Sequence, residues 1–576
     1  MNYQNHIEQI VDDLYNINRP VVLTRPKPEF GDYSTTIALE LSKELKKPPQ
    51  QIAGELLEKL NSNSSIYEAS VAGPGFINFR VKADALANTL NEKWSKNYGA
   101  GSDGLDKTVI VEYPSNNMAK PYSIGHLRSG NQGWAVKMLH QKMGWNVITD
   151  NHLGDYGTPF GVWVVGFLNF SSEEELDKNG VYELGRIYIE TKKALKDEAA
   201  AGKSELASQV QNWLLKLENN DEQAVDYSKK FNEISLNHIH EIMNRLKIST
   251  DYEFGEAFFA PIGKNIVLKL IETGEAKKNE DGSVVIDISE QGIKTPVLVQ
   301  KSNGAALYAT NDLATIMYRE DNFQPNRVVY AVGDEQSFYF KQLFAVAKKL
   351  NVNTELIHLS FGLIDQINAN GVREKMSSRK GVVLMEELLN TAEKKAKEVV
   401  QQRNDINSEV SQEDIEKISL GAIKFSDFTA DRRTNILFDW DTIFSLSGFS
   451  GPSVQYAAVR INKIINSENL QNNFEAKITE KELLKTDYNY EAEKGVLLKL
   501  LEYPVILRQA YNNLEPHKIA TYLYELAREM NRYYETTRIK ESPDSVKAHR
   551  INTLKKVSYV FADGLNLLGI EVPERM

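Results

Sequence analysis

Cysteine is absent from all 576 residues. That absence excludes disulfides, thiolate zinc sites, iron–sulfur clusters and cysteine nucleophiles together. The nine histidines never form HExxH, which removes the zincin hydrolases as well. No apolar run approaches the roughly 18–20 residues that span a bilayer. The start, Met1 to Asp13, is polar and acidic, unlike a secretory signal, so a cytoplasmic location is expected. There is no internal repeat and no low-complexity tract. What is present is ordinary: 41% hydrophobic and 26% charged residues exclude wholesale disorder. The length allows three or four domains. Net charge is −11, which taken alone argues against an obligate nucleic-acid binder. From Gly451 onward, however, 18 basic residues face 17 acidic ones, so a basic face in the C-terminal part is compatible with the total.

Residues 1–96 read as a small α+β unit, with β-rich pieces at Val21–Thr24 and Phe76–Phe79. Asn97–Gly104 is glycine-rich and polar, the composition of a linker. The β-branched run Thr108–Val111 then suits a buried parallel strand. A turn at Ile124-Gly125-His126 follows, and then a helical pattern with Trp134/Met138 and Ala135/Leu139 at i,i+4. Asn146–Thr149 restores a strand, so a right-handed βαβ unit is predicted. Further β runs at Pro296–Gln300, Val328–Val332 and Ile357–Phe361 extend the pattern. Together they predict a Rossmann-like, doubly wound α/β domain over 107–390, with a charged helical insertion at about 171–250. The β signal fades after Lys380. Residues 391–450 read as a connecting helical segment, and 451–576 as an all-α helical bundle with a polar break near Asn466–Thr486. The predicted fold class is multidomain α/β: an N-terminal α+β domain, the Rossmann-like domain and the C-terminal bundle.

Two stretches carry chemistry. The first βα turn contains Glu112, Asn117, Lys120, Ser123, Gly125, His126 and Arg128. A strand end meeting a helix start presents free backbone N–H groups and the positive end of the helix dipole, where α/β folds bind phosphate. Gly125 permits close backbone approach, and Lys120, Ser123 and His126 add donors. The second stretch is Arg373-Glu-Lys375-Met376-Ser377-Ser378-Arg379-Lys380-Gly381. Its cations and hydroxyls suit a loop that clamps phosphates as charge develops. Taken singly, the first is equally a turn capped by histidine, and the second an exposed basic loop.

In this order on an α/β pattern, the two resemble the HIGH and KMSKS signatures of class I aminoacyl-tRNA synthetases. The flanking residues resemble one family, the arginyl-tRNA synthetases. They are Asn117-Met-Ala-Lys-Pro, Gly125-His-Leu-Arg-Ser, Asn151-His-Leu-Gly-Asp155 through Gly161, Tyr308-Ala-Thr-Asn-Asp312, Val332-Gly-Asp-Glu-Gln336 and Gly451-Pro-Ser-Val-Gln-Tyr456 through Arg460. Near the N-terminus, Glu29-Phe-Gly-Asp-Tyr and Gly73-Pro-Gly-Phe-Ile-Asn-Phe agree. Two other readings stand beside this one: another class I synthetase, and a synthetase-like RNA-binding protein without aminoacylation.

The resemblance implies ATP-dependent activation of L-arginine to the adenylate, then transfer to the 2′-hydroxyl of the terminal adenosine of tRNA(Arg). Ser123, Gly125, His126, Lys375, Met376, Ser377, Ser378 and Arg379 would bind ATP, with Lys120 and Lys380 as further cations. Glu112, Asn117, Tyr308, Asp312 and Gln336 would bind arginine, whose forked guanidinium suits bidentate carboxylates. Tyr308 and Asp312 are i,i+4 and share a face if helical. Mg²⁺ would accompany ATP as part of the substrate, and no resident metal is expected. The C-terminal bundle would read the anticodon. Tyr456, Arg460, Tyr522, Arg528, Arg532, Tyr533 and Tyr534 mix aromatic faces for bases with arginines for phosphates. The N-terminal unit would contact the tRNA corner, and the chain is expected to be a monomer. Three positions depart from the family pattern: Ser123 and Ser378 stand where histidine and lysine are usual, and Pro114 with Asn116 shifts the proline that normally precedes the asparagine. Lys120 occupies the position of a lysine thought to substitute for the second-motif lysine.

Overall fold

The computed structural model describes every residue except 1–2, 63–66, 156, 303–306, 368–369, 377–382, 403–409, 468–489, 540 and 542–543. Its packing divides the chain into two compact units. One comprises Met1–Tyr98, Ile461–Pro504 and Arg528–Val560; the other comprises Gly99–Arg460, Val505–Ala527 and Phe561–Met576. The expected C-terminal segment, 451–576, therefore contributes residues to both.

In the first unit, three antiparallel strands, β1 (Tyr33–Thr35), β2 (Tyr67–Ala72) and β3 (Phe76–Val81), lie in the order β1-β3-β2. In β2, buried Tyr67 and Ala69 alternate with exposed Glu68 and Ser70, the period of a half-buried strand. Helices Ile37–Leu45 and Pro49–Ser62 pack on this sheet and bury Ile37, Leu41, Ile52 and Leu56. The C-terminal helical residues of this unit bury a charged network. Glu493 accepts from Tyr533 at 3.2 Å and Thr553 at 3.2 Å, and lies 2.7 Å from His549 Nε2.

The second unit is built on four parallel strands: β4 (Thr108–Glu112), β5 (Asn146–Asp150), β9 (Arg327–Tyr330) and β10 (Glu355–His358), in the order β10-β9-β4-β5. Val109, Ile110 and Val111 are all buried, as expected of a strand covered on both faces. The chain leaves β4 to one side for β5 and later returns to its other side for β9. The strand order thus reverses between β4 and β9, the position where open α/β sheets bind ligands. Helix Leu127–Lys142 makes the first crossover. It lies close to the end of β4: a Cβ on Gly133 would meet the Tyr113 ring at 2.5 Å.

One strand expected in this sheet is not in it. Val297–Gln300 (β8) pairs antiparallel with β7 (Val284–Ile286), which pairs with β6 (Lys277–Lys278), in a separate sheet. A short apolar run specifies a buried strand but not its partner, so the pattern misassigned it. The expected Ile357–Phe361 strand is Glu355–His358, and Phe361 makes only an isolated bridge to Gly333. Past β10, β11 (Ile364–Ile367) forms a hairpin with β12 (Arg373–Lys375), and the two-residue β13 (Ile436–Leu437) runs parallel to β11.

The insertion is four helices: Glu173–Asn179, Val181–Ala200, Glu205–Glu218 and Glu222–Arg245. Ser172 and Asp221 cap the first and last by accepting backbone N–H groups. Leu176, Leu184, Ile187 and Phe231 join Phe160, Val164 and Phe167 in one core. This insertion also supports the first motif. Ser235 Oγ accepts from Ala119 N at 2.8 Å, and His238 Nε2 accepts from Tyr122 N at 3.1 Å.

Candidate active site

The segment after β4 turns through two non-glycine residues in the left-handed region, Ser115 (φ 59°) and Ala119 (φ 50°). Such backbone is costly and persists where the surroundings over-determine it. Here Asn151 Oδ1 accepts from both Ser115 N (3.1 Å) and Asn116 N (3.2 Å). Ile124–His126 then forms one 3₁₀ turn leading into helix Leu127–Lys142. His126 Nδ1 accepts from Ser123 N at 3.3 Å, which leaves the proton on Nε2. Burial, reinforced by the Lys120 charge, lowers the imidazole to about 4, so His126 is neutral at pH 7. It is therefore an oriented N–H donor rather than a cation. A Cβ on exposed Gly125 would meet only Ser123 Oγ, at 3.4 Å, so the space above that glycine is free of protein among the described residues. Lys120 lies over the Tyr188 ring of the insertion at 5.6 Å.

The residues directly after the second motif lie against the first. Val383 O accepts from Ile124 N at 3.1 Å, Tyr122 O accepts from Met385 N at 2.9 Å, and Leu384 bridges Ser123. On the other side of the loop, Lys375 ends β12 and pairs with Glu335 at 3.2 Å, in the turn that also carries Gln336. Residues Ser377, Ser378, Arg379 and Lys380 lie outside the described residues. Met376, expected among the ATP contacts, is 9% exposed and packed in the core, where its thioether fills space instead. Arg128 is buried behind the turn. It donates to Asp427 Oδ1 (2.7 Å), Gly362 O (2.7 Å) and Thr434 O (3.0 Å), tying the helix start to the root of the Lys375 hairpin.

Near the turn that carries His126, acidic side chains from separate segments cluster: Glu256, Asp312 and Asp155. Tyr308 and Asp312 lie one turn apart at the start of helix Tyr308–Phe323. Asp312 accepts from the Tyr339 hydroxyl and lies 3.8 Å from His152 Nε2. Burial pushes its carboxyl up. Glu256 starts helix Glu256–Glu272, and burial together with the charges of Asp312 and Asp155 raises it to about 8. Tyr308 is 68% exposed at the mouth, and its hydroxyl is raised by burial and by Glu256. Asn117 bridges Gly154, and Gln336 is exposed in the turn after β9. Glu256, Asp155, His152 and Tyr339 were not among the expected ligands. The motif Asn151-His-Leu-Gly-Asp155 flagged two of them, whereas nothing local marks Glu256.

Glu112 already has an internal partner: its Oε2 is 2.7 Å from Arg319 Nη2, which also contacts Asp150 at 2.6 Å. One expectation requires correction. Tyr533 has no exposed surface and its hydroxyl bonds Glu493, so its ring cannot stack on an RNA base; Tyr522 is likewise buried at 2%. Both lie on the apolar stripe of helix His517–Thr536. Arg532 and Tyr534 are exposed, while Tyr456 and Arg460 are half-buried, with the guanidinium 5.6 Å above the ring.

Comparison with known proteins agrees along the whole chain. Residues 88–440 match the family model for class I tRNA synthetases (R), catalytic domain; 454–576 match the DALR anticodon binding domain; and 1–81 match the arginyl tRNA synthetase N terminal domain. An arginine–tRNA ligase of Fusobacterium nucleatum is 31% identical over 100% of this chain and 98% of its own. One of Streptococcus pneumoniae is 33% identical over 99% of both. The fold superposes on arginyl-tRNA synthetases of Plasmodium falciparum (TM-score 0.79, 24% identity, 100% and 98% covered) and Thermus thermophilus (TM-score 0.79, 22% identity, 100% and 99% covered). The chain belongs to the arginyl-tRNA synthetase family of class I aminoacyl-tRNA synthetases.

Proposed function

We propose that this enzyme activates L-arginine with Mg²⁺-bound ATP at the β4/β9 switch point and passes it to tRNA(Arg), with the following division of work. The triphosphate lies over Gly125. His126 Nε2–H, Ser123 and Lys120 donate to it, and Lys375 closes from the facing hairpin with Ser377, Ser378 and Arg379. Asp312 and Glu256 take the guanidinium, with Tyr308 at the mouth and Asn117 and Gln336 at the α-carbon end. One oxygen of the arginine carboxylate attacks the α-phosphorus. A carboxyl–phosphate anhydride forms, and the bond to pyrophosphate breaks. The 2′-hydroxyl of the terminal adenosine then attacks the arginyl carbonyl, and AMP leaves. No covalent bond to the enzyme is needed, so rate comes from positioning and electrostatics. Arg532 and Tyr534, with Tyr456 and Arg460, are the C-terminal groups offered to RNA.

The observation that carries this reading is the pinning of Val383–Met385, the residues just after the second motif, onto Tyr122–Ile124 of the first. Arginine-dependent ATP–pyrophosphate exchange, measured with and without tRNA(Arg), tests it. Exchange stimulated by arginine alone among the amino acids is expected. No exchange in either condition, or exchange with another amino acid, would overturn it.

A further inference from the structure

The acidic cluster already holds a guanidinium from the chain itself, that of Arg319. The ligand atoms of Glu112, Asp150 and His152 lie within 4.8 Å of one another, a set able to hold a cation. Arg319 is that cation, with one nitrogen, Nη2, contacting both carboxylates at 2.7 and 2.6 Å. Its guanidinium also lies 5.6 Å from the centre of the Tyr330 ring. Arg319 follows Asp312 by seven residues in helix Tyr308–Phe323, two turns along nearly the same face. Side-chain exposure ranks these residues from the interior outward: Arg319 2%, Asp150 3% and Glu112 7%, then Asp312 30%.

We propose that Arg319 is a specificity-determining positioning residue: it fills the deeper acid pair, so that an incoming guanidinium stops at the Asp312 layer. This inference rests on the reading that Asp312 and Glu256 receive the substrate's head group. Two buried carboxylates without a partner cation would form the strongest cation trap in the cluster. With Arg319 absent, the substrate side chain would sink to that trap and withdraw its α-carboxylate from the α-phosphorus. Attack requires the reacting atoms within about 3–3.5 Å, and a displacement of about 1 Å costs on the order of 100-fold. Homoarginine, longer by one methylene, would reach the deep pair and still present its carboxylate.

The test uses the full-length enzyme in ATP–pyrophosphate exchange with tRNA(Arg), comparing arginine with homoarginine. Arg319→Met and Arg319→Gln should raise the homoarginine-to-arginine ratio of kcat/KM by about tenfold or more, with the loss on arginine concentrated in kcat. Arg319→Lys, which keeps a nitrogen cation, should hold the wild-type ratio. Arg319→Gln retains a donor for one carboxylate and carries the comparison if Arg319→Met does not fold. A parallel fall on both substrates, with the ratio unchanged, would overturn the proposal and leave Arg319 a structural ion-pair partner. The underlying reading fails separately: an unchanged arginine KM in Asp312→Asn would remove Asp312 from the proposed site, whatever Arg319 does.

Discussion

Arginine binding should release a proton from Glu256. In the unliganded enzyme this carboxyl is raised to about 8, first by burial and then by the charges of Asp312 and Asp155. At pH 7 it is therefore mostly protonated. A guanidinium cation favours the ionised form, so binding pulls the proton off. The apparent dissociation constant is the intrinsic value multiplied by one plus ten to the power of pKa minus pH, about 11 at pH 7, about 2 at pH 8 and near 1 at pH 9. Arginine affinity should thus rise about tenfold from pH 7 to pH 9, with about 0.9 proton released per arginine at pH 7. Calorimetry in two buffers of different ionisation enthalpy reads that proton directly. Glu256→Gln should abolish the release, flatten the pH dependence and raise the arginine KM. The stability sign follows from the same shift. A carboxyl raised in the folded state stabilises it at low pH, and that contribution is lost as pH rises from the ordinary carboxylate range through about 8. Arginine should therefore raise Tm more at pH 8.5 than at pH 6. Proton-silent binding, or a Glu256→Gln variant that keeps the wild-type pH slope, would refute the reasoning.

Two further substitutions separate catalysis from packing. His126→Ala should lower exchange at least 100-fold, roughly 2.7 kcal/mol of transition-state stabilisation, with the arginine KM little changed; a near-normal rate would displace the phosphates from this turn. Tyr533→Phe should cost about 1–2 kcal/mol in thermal unfolding, because buried Glu493 loses a donor, and should leave the KM for tRNA(Arg) unchanged; a large rise in that KM with no change in Tm would restore the ring to the RNA interface.

The phosphate side of the site was legible in the sequence because its chemistry is contiguous. Lys120 through His126 form one turn, and Lys375 lies eight residues before the Val383 carbonyl that accepts from Ile124. The arginine side was only half legible, because its acids come from separate segments. Asp312 was reached through the resemblance of Tyr308-Ala-Thr-Asn-Asp312 to the family's motif, with its spacing from Tyr308 consistent with one helix face. Glu256 lies 56 residues before Asp312 in sequence, in a stretch that no motif marks, and only folding sets its charge against Asp312 and Asp155. That Glu112 is paired could not be read locally either, because its partner Arg319 is 207 residues away. The misreading of Tyr533 was avoidable. Ile519, Tyr522, Leu523, Leu526, Met530 and Tyr533 are all buried and recur at three- and four-residue steps, which marks Tyr533 as a member of the stripe rather than an outlier from it.

The arrangement also meets an electrostatic requirement that neither motif expresses. A triphosphate and a guanidinium must bind side by side, one needing positive surroundings and the other negative. The end of β4 lies at the border between them, and its last residue, Glu112, is a carboxylate next to another, Asp150, at the end of β5. Left unpaired in a medium of low dielectric, those two charges would repel the α-phosphate as strongly as they would attract arginine. Arg319 cancels about half of that charge at its source, one cation against two carboxylates. In the proposed site the acids offered to the substrate are then Asp312 and Glu256, carried by helices, while the turn that leaves β4 presents the His126 donor. A residue that selects where the substrate's head stops would thereby also decide whether ATP can bind beside it. Loss of its charge should therefore raise the KM for ATP while the loss on arginine stays in kcat, although Arg319 itself stands outside the turn that carries His126.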